Sequence, residues 1–266
     1  MIARFALVAI LVTSSVPALA AEPVLLHAAG SLRNALTEVA GAFVAATGRE
    51  VQAKFGASGT LKEEIAAGAR AEVFASANME HPLALAAANK SGPVVLFARN
   101  KLCALVRPGL DVSSATLLDR MLDPDVKLGT STPRADPAGD YAWEVFRKAD
   151  KLRPGSFALL AAKALQLVGS PTSPTAPAGR AYYGMLVAQG KADIMLTYFT
   201  NAREAEQQNP GQQIVVLPDE LAVGADYGLT VLDGASRRAY QLVTFILSVE
   251  GQRILAKHGF TAPALP

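Results

Sequence analysis

Cysteine is nearly absent from this sequence: the 266 residues contain only Cys103, so no disulfide can form within the chain. Cys103 lies in the apolar segment 102–106, which favours a buried small side chain in a strand over a reactive thiol. The three histidines, His27, His81 and His258, have no spacing typical of a metal site. We therefore expect a fold stabilised by core packing alone, with no cofactor.

An excess of charge is also lacking, because 25 lysines and arginines stand against 23 aspartates and glutamates and give a formal net charge of +2. No run of basic residues compensates for this balance. The sequence therefore argues against nucleic acid or an anionic membrane surface as a partner. If the protein binds an anion, we expect local dipoles of backbone amides and hydroxyl groups to hold it.

Long apolar runs are missing as well, apart from one near the amino terminus. Residues 1–21 contain the positive charge of Arg4, the apolar run 5–12 and a small-residue region at 17–21, which is the pattern of a cleaved secretory signal. Cleavage removes Arg4 and lowers the formal net charge by one, from +2 to +1. No later segment has the roughly 20 apolar residues that a membrane-spanning helix needs. We expect a soluble exported protein of one large domain or two ordinary ones.

Short apolar strands alternate with helical segments along the chain, which predicts an α/β fold with a parallel sheet. The proline-rich segment 169–177 is predicted to be a loop. A strand and a helix that follow the middle of the chain suggest that the chain returns to its first lobe. Strands are predicted at 24–28, 50–55, 73–76, 126–129, 194–198 and 226–232, and helices at 32–47, 60–67, 139–149, 179–189 and 237–255.

Two of the strand-to-helix junctions place a serine among small residues, Ser31 in the loop 28–32 and Ser58 in the loop 56–61. The first turn of a helix leaves backbone N–H groups without intrahelical partners, and its dipole favours negative charge. Two such junctions predict a site that holds an oxyanion from two sides. A hydrolase that uses Ser58 as nucleophile is disfavoured, because an elbow motif needs glycine where this chain has Thr60.

Three further positions have both a binding and a structural interpretation. The amides of Ala138 and Gly139 either approach a ligand or belong to a helix that Asp136 caps and proline begins. Arg180 stands at another predicted helix start, where it either pairs with an anion or is solvated or paired with a surface carboxylate. Tyr198 ends a predicted strand, where it either donates to a ligand or packs in the core.

Taken in order, these motifs resemble those of the periplasmic molybdate-binding proteins of ABC import systems, which are type II periplasmic binding proteins. The resemblance covers nearly the whole mature chain. It implies a two-lobed α/β fold with a ligand cleft and two hinge strands, residues 22–101 and 225–266 forming the first lobe and residues 102–224 the second. The matching segments are 28–36, 55–61, 65–69, 71–77, 137–142, the region around 198, and 251–260.

The resemblance also implies how a ligand would be held. Neutral donors would bind a tetrahedral dianion, and the matching donors are the hydroxyls and amides of Ser31 and Ser58, the amide of Ala138, a backbone amide near Arg180, and the hydroxyl of Tyr198. The implied protein is a periplasmic monomer and not an enzyme. It would capture molybdate, with tungstate as a near equivalent, and deliver it to an inner-membrane ABC permease.

The chain departs from the family pattern at Arg180, at Asp140 and in the segment 198–201. These departures leave a second hypothesis open. If Arg180 points inward, the same fold would bind another small anion, such as a sulfate-like ion or an organic carboxylate. If Arg180 points outward, the molybdate hypothesis stands.

Overall fold

A computed structural model of the chain describes residues 22–174, 177 and 179–263. The predicted signal, residues 1–21, lies outside the described residues. Within those ranges, no helix is both long and apolar enough to cross a membrane.

Strands and helices alternate through most of the described chain, as the sequence predicts. The strands are β1 (Val24–Ala29), β2 (Val51–Gly56), β3 (Val73–Ser76), β4 (Val95–Val106), β5 (Leu128–Ser131), β6 (Leu165–Val168), β7 (Ile194–Tyr198), β8 (Gln213–Val216) and β9 (Gly224–Val231). The helices are α1 (Arg33–Thr47), α2 (Ser58–Ala66), α3 (Glu80–Ala87), α4 (Leu117–Leu122), α5 (Pro137–Leu152), α6 (Ser156–Lys163), α7 (Tyr182–Ala188), α8 (Phe199–Gln208), α9 (Arg237–Leu247) and α10 (Val249–Lys257).

The strands form a mixed sheet in the order β2-β1-β3-β9-β4-β7-β5-β6, with β8 paired to β4. β1 pairs in parallel with β2 and β3, and β5 pairs in parallel with β6 and β7. β9 runs antiparallel to β3 and β4, and β4 runs antiparallel to β7 and β8. The predicted parallel sheet is therefore confirmed for β1 with β2 and β3 and for β5 with β6 and β7, and it is wrong for β4 and β9. Fully buried strands have similar apolar sequences in either direction, so their composition does not reveal it.

The long strand β4 connects two sets of strands. Its first part, up to Lys101, pairs with β9, and its second part, from Leu102, pairs with β7 and β8. We call β1, β2, β3 and β9 the first strand set, and β5, β6, β7 and β8 the second strand set. The change of partner coincides with the boundary drawn from the sequence after residue 101. The division into lobes 22–101, 102–224 and 225–266 stays a prediction.

The carboxyl-terminal region corrects one element, because the single helix predicted over 237–255 is two helices. Ser248 lies between them in extended conformation, with φ −69° and ψ 165°. Its hydroxyl donates to the Phe245 carbonyl at 2.7 Å and accepts from the Gly251 amide at 3.2 Å. A Cβ atom on Gly251 would lie 2.3 Å from the Phe245 oxygen. The break between α9 and α10 therefore depends on a serine cap and a glycine, whereas the apolar periodicity continues from one helix into the other.

Candidate functional site

A cavity of about 510 Å³ lies between the two strand sets and receives residues from both. Four of the five residues predicted from the sequence line it, namely Ser31, Ser58, Arg180 and Tyr198. Ala138 is fully buried and is not among the lining residues. The fold therefore brings together side chains that lie far apart in sequence.

The two serine loops lie side by side because β1 and β2 are parallel neighbours. Ala29 pairs with Gly56 at the carboxyl ends of these strands, and Ser31 and Ser58 follow directly. Ser31 lies in a single 3₁₀ turn that precedes α1, whereas Ser58 is the first residue of α2. Both serines therefore lie at strand-to-helix junctions, as the sequence predicts, and their part in holding an anion stays a prediction.

The two serine hydroxyls have different hydrogen-bond partners. The Oγ of Ser58 is buried and accepts from the Ala77 amide at 3.1 Å. Because the oxygen accepts this bond, the hydroxyl proton remains available as a donor. The Oγ of Ser31 lies 2.9 Å from the hydroxyl oxygen of Tyr227, and either group is able to donate. The Tyr227 oxygen also accepts from Nδ2 of Asn100 at 3.4 Å.

Tyr198 ends β7 and is 2% exposed. Its ring lies against Tyr141 and Tyr227, with ring centroids 6.3 Å and 5.7 Å away. Burial raises the pKa of its phenol well above the usual value, so the group stays neutral and able to donate. Within the part of the chain that the structure describes, its buried hydroxyl has no hydrogen-bond partner. An unpaired buried hydroxyl is costly, and an acceptor bound in the cavity would remove that cost.

The start of α5 has the capped form that the sequence offered as one interpretation. Oδ1 of Asp136 accepts from the Ala138 amide at 3.0 Å, and Pro137 is the first helical residue. Asp136 itself is one of the residues that line the cavity. The pKa of its carboxyl group is raised to about 6, mainly by loss of hydration; hydrogen bonds from Ala138 and Ser131 oppose the rise, and the charge of the nearby Asp140 adds to it. In this conformation the Ala138 amide is paired with a carboxylate of the same chain.

Arg180 is exposed, lies two residues before the start of α7, and lines the cavity. Its backbone amide donates to the Pro177 carbonyl at 3.2 Å. Two other exposed arginines, Arg33 and Arg203, also line the cavity. The guanidinium of Arg33 lies 4.9 Å from the centre of the Phe55 ring. The cavity thus combines neutral hydroxyl groups with arginine side chains.

The two strand sets are in direct contact beside the cavity. The Gly59 amide donates to the Ala135 carbonyl at 3.0 Å, and the Tyr141 hydroxyl donates to the Ala77 carbonyl at 3.4 Å. A Cβ atom on Gly59 would lie 2.3 Å from the Arg134 carbonyl oxygen. This approach is therefore possible only because residue 59 is glycine.

Residues 24–261 match the family described as "Bacterial extracellular solute-binding protein". The chain belongs to this family. An uncharacterized protein of Pasteurella multocida is 35% identical to this solute-binding protein over 238 residues, which cover 88% of this chain and 96% of the relative.

Solved structures show the same fold. The periplasmic molybdate-binding protein of Azotobacter vinelandii superposes with a TM-score of 0.73 at 19% identity and covers 91% of this chain and 100% of its own. The sulfate-binding protein SubI of Mycobacterium tuberculosis gives a TM-score of 0.74 at 18% identity, covering 91% and 87%. The fold is the mixed α/β fold of type II periplasmic binding proteins, and both the family and these neighbours are solute-binding proteins rather than enzymes.

Several residues of the solute-binding protein's cavity region were missed from the sequence. Tyr227 was predicted only as part of a strand, and its partner Ser31 is 196 residues away. Asn100 contacts both Tyr227 and Thr200 through its side-chain amide. Asp226 and Tyr227, two polar residues in a mostly apolar strand, were a signal for Tyr227, although they do not identify its partner. The aspartate cap was one of the two interpretations that the sequence left open, and the place of Asp136 at the cavity was not predicted.

Proposed function

We propose that this solute-binding protein is the periplasmic substrate-binding component of an ABC importer that captures molybdate, with tungstate as a near-equivalent ligand. The observation that carries the proposal is the Tyr198 hydroxyl, which is buried, without a partner in the described residues, and placed at the same cavity as Ser31 and Ser58. After export through the signal at 1–21, the protein works as a monomer and delivers its ligand to an inner-membrane permease.

The chemistry of these donors suits a metal oxyanion. Molybdate and tungstate are fully deprotonated near neutral pH and need donors, which the hydroxyls of Ser31, Ser58 and Tyr198 supply. Charge-assisted hydrogen bonds of about 1.5–3 kcal/mol each give tight binding without a buried counter-charge. In this proposal the Ala138 amide shares its donor between Asp136 and the ligand, and a backbone amide near Arg180 completes the set. The molybdate-binding neighbour from Azotobacter vinelandii supports this choice of ligand.

Binding in this proposal is accompanied by closure of two lobes, residues 22–101 with 225–266 and residues 102–224. β4 and β9 would be the hinge strands, since β4 pairs with both strand sets and β9, its neighbour, receives the chain as it returns from β8 to the first strand set. The hydrogen bond from Gly59 to Ala135 would then be a contact of the closed form. Closure excludes water and strengthens each hydrogen bond to the ligand.

A second candidate is a receptor for another small anion, sulfate-like or an organic carboxylate, held through Arg180. The arginine side chains of Arg33, Arg180 and Arg203 at the cavity favour it. The sulfate-binding neighbour shows that the fold accommodates such a ligand in another protein. A fixed positive charge in the site would be decisive for this candidate and dispensable for the first.

Calorimetric titration of the mature protein with molybdate, tungstate, sulfate and phosphate at neutral pH tests the proposal. We expect one-to-one binding of molybdate and tungstate and far weaker binding of the other two. Tyr198→Phe should weaken molybdate binding by about 1–3 kcal/mol, whereas Tyr240→Phe, at an exposed tyrosine outside the cavity, should not.

The second candidate has its own signature in the same titrations. Binding of sulfate or a carboxylate that Arg180→Ala abolishes, together with silence toward both metal oxyanions, would overturn the molybdate assignment. Molybdate binding that survives Arg180→Ala would support it.

A further inference from the structure

The carboxyl group of Asp136 is an unexpected feature of a cavity assigned to a divalent anion. Asp136 is only partly exposed, lines the cavity, and is fixed by the bond from the Ala138 amide to Oδ1. The residue before it, Ala135, accepts from Gly59, next to Ser58. The carboxyl group is therefore held close to the serine loops rather than at a distant edge.

The fold makes specific room for this carboxyl group. Gly169, in the loop after β6, has φ +86°, and a Cβ atom there would lie 2.5 Å from Cβ and 2.7 Å from Oδ2 of Asp136. Any other residue at position 169 would collide with the aspartate and be strained in its backbone. The close fit between the two residues fixes where the carboxyl group stands.

None of the salt bridges between described residues includes Asp136. The cations that line the same cavity, Arg33, Arg180, Arg203 and Lys257, therefore form no salt bridge with its carboxylate. The charged group acting on it is Asp140, from α5 itself. The other elements around it present uncharged groups: the Ser131 hydroxyl from β5, the Tyr183 phenol from α7, the Tyr198 phenol from β7 and the Tyr227 phenol from β9. A divalent oxyanion in the cavity would thus meet an uncompensated carboxylate, and like charges in an enclosed site disfavour one another.

We propose that Asp136 couples ligand capture to proton uptake: one proton enters the cavity with each divalent oxyanion and is shared between the Asp136 carboxylate and a facing ligand oxygen. This inference rests on the proposed function, since it takes the ligand to be a divalent oxyanion. For molybdate the proton is given up by a buffer acid or hydronium ion in the solvent, because the free dianion carries none near neutral pH. The donor's bond to that proton breaks, a bond from the proton to a carboxylate or ligand oxygen forms, and the repulsive contact becomes a hydrogen bond.

The protonation balance itself supports the proposal. Loss of hydration raises the pKa of Asp136 to about 6, so a modest further rise in this pKa on ligand binding is enough to protonate the carboxyl group near neutral pH. Arriving negative charge raises the pKa again. Above about pH 7 the free protein holds Asp136 ionised and the complex holds it protonated, which is the condition for uptake of one proton.

Molybdate titrations of the mature protein between pH 6.5 and 9 test the coupling. Measurements at each pH in two buffers of different ionisation enthalpy give the number of protons taken up. We expect close to one proton per molybdate above about pH 7, and an affinity that falls about tenfold per pH unit. Asp136→Asn, which retains a capping side chain, should take up no proton and bind with constant affinity across this range.

Two control variants separate Asp136 from other titratable groups. Asp140→Asn changes a carboxylate that lines a different cavity, and His258→Gln changes a histidine that lines the same cavity 2.8 Å from Glu38. Both should keep the proton uptake. Binding without proton uptake and with constant affinity in the unmodified protein would overturn the inference alone. Absence of molybdate binding in both the unmodified protein and Asp136→Asn would overturn the proposed function and this inference with it.

Discussion

The hydroxyl oxygens of Ser31 and Tyr227 lie 2.9 Å apart, although 196 residues separate them in the chain. Ser31 follows β1, whereas Tyr227 lies in β9, which comes after all four strands of the second strand set in chain order. The contact therefore joins the first serine loop to the strand with which the chain returns to the first strand set. It makes the orientation of the Ser31 hydroxyl depend on the carboxyl-terminal part of the chain.

Removal of either hydroxyl should weaken oxyanion binding to different extents. Ser31→Ala removes a donor to the ligand, and we expect a loss of about 1–3 kcal/mol in binding free energy. Tyr227→Phe removes only the group that orients Ser31, so its effect should be smaller. Calorimetry gives the affinities, and thermal unfolding checks that both variants fold.

The double variant tests whether the two hydroxyls act together. Because Tyr227 acts through Ser31 in this account, the combined loss should be close to that of Ser31→Ala alone. Losses that simply add would contradict it and assign Tyr227 an independent contact.

Gly59→Ala should impair ligand binding without unfolding either part of the protein. Its methyl group would collide with the carbonyl oxygens of Arg134 and Ala135, so the two strand sets could not approach as closely. We expect Gly59→Ala to bind molybdate at least tenfold more weakly than the unmodified protein. In the presence of molybdate, X-ray scattering should give the variant a larger radius of gyration than the unmodified protein.

A glycine in open space gives the matched control. Gly41 lies within α1, and a Cβ atom there meets nothing within 4 Å. Gly41→Ala should leave affinity unchanged and stabilise the fold by about 0.5–1 kcal/mol. Equal losses of affinity in both variants would show that position 59 has no special role.

The break between α9 and α10 predicts unequal effects for two similar serines. Ser248 caps α10 through a side-chain bond to the Gly251 amide, whereas Ser236 precedes α9 without such a bond. Ser248→Ala should cost about 1 kcal/mol in the free energy of unfolding, and Ser236→Ala much less. Urea denaturation measures both, and equal costs would contradict the assigned cap.

Most elements of the fold follow from local sequence, and the failures have local reasons. β7 was predicted with its observed ends, and β3 likewise, because each is a short apolar run bounded by polar or turn residues. The break at Ser248 was not predicted, because the amphipathic pattern of α9 continues in α10. The antiparallel direction of β4 and β9 was not predicted, because it depends on the path of the chain between strands rather than on the sequence of the strand itself.

Site residues could be predicted where the local sequence alone shows a strand, a short loop with a hydroxyl side chain and a helix start. Ser31 and Ser58 could be placed together because parallel neighbouring strands end at one edge of a sheet. The position of Asp136 at the cavity was not predictable, because it depends on Gly169 and on elements that meet only in three dimensions. The local sequence therefore indicates that Asp136 is able to cap α5, but it does not indicate that its charge lies at the cavity.

Asp136 should also make the stability of the ligand-free protein depend on pH. Its pKa rises from the usual 3.8 to about 6 in the folded protein. Between these values the folded state holds a proton that the unfolded state has lost, so stability falls as pH rises from about 4 to about 6. Above about pH 6 the folded state loses up to roughly 3 kcal/mol of its free energy of unfolding, because it holds an ionised carboxylate that is less well hydrated than in the unfolded chain.

Asp136→Asn removes this cost while keeping a side chain that caps α5. The variant should therefore be more stable than the unmodified protein at pH 7–8, and the difference should vanish near pH 4. Urea denaturation at several pH values without ligand measures it. A gain of the same size at every pH would indicate better packing rather than relief of charge, and a loss at pH 8 would mean that the ionised carboxylate is stabilised by its surroundings.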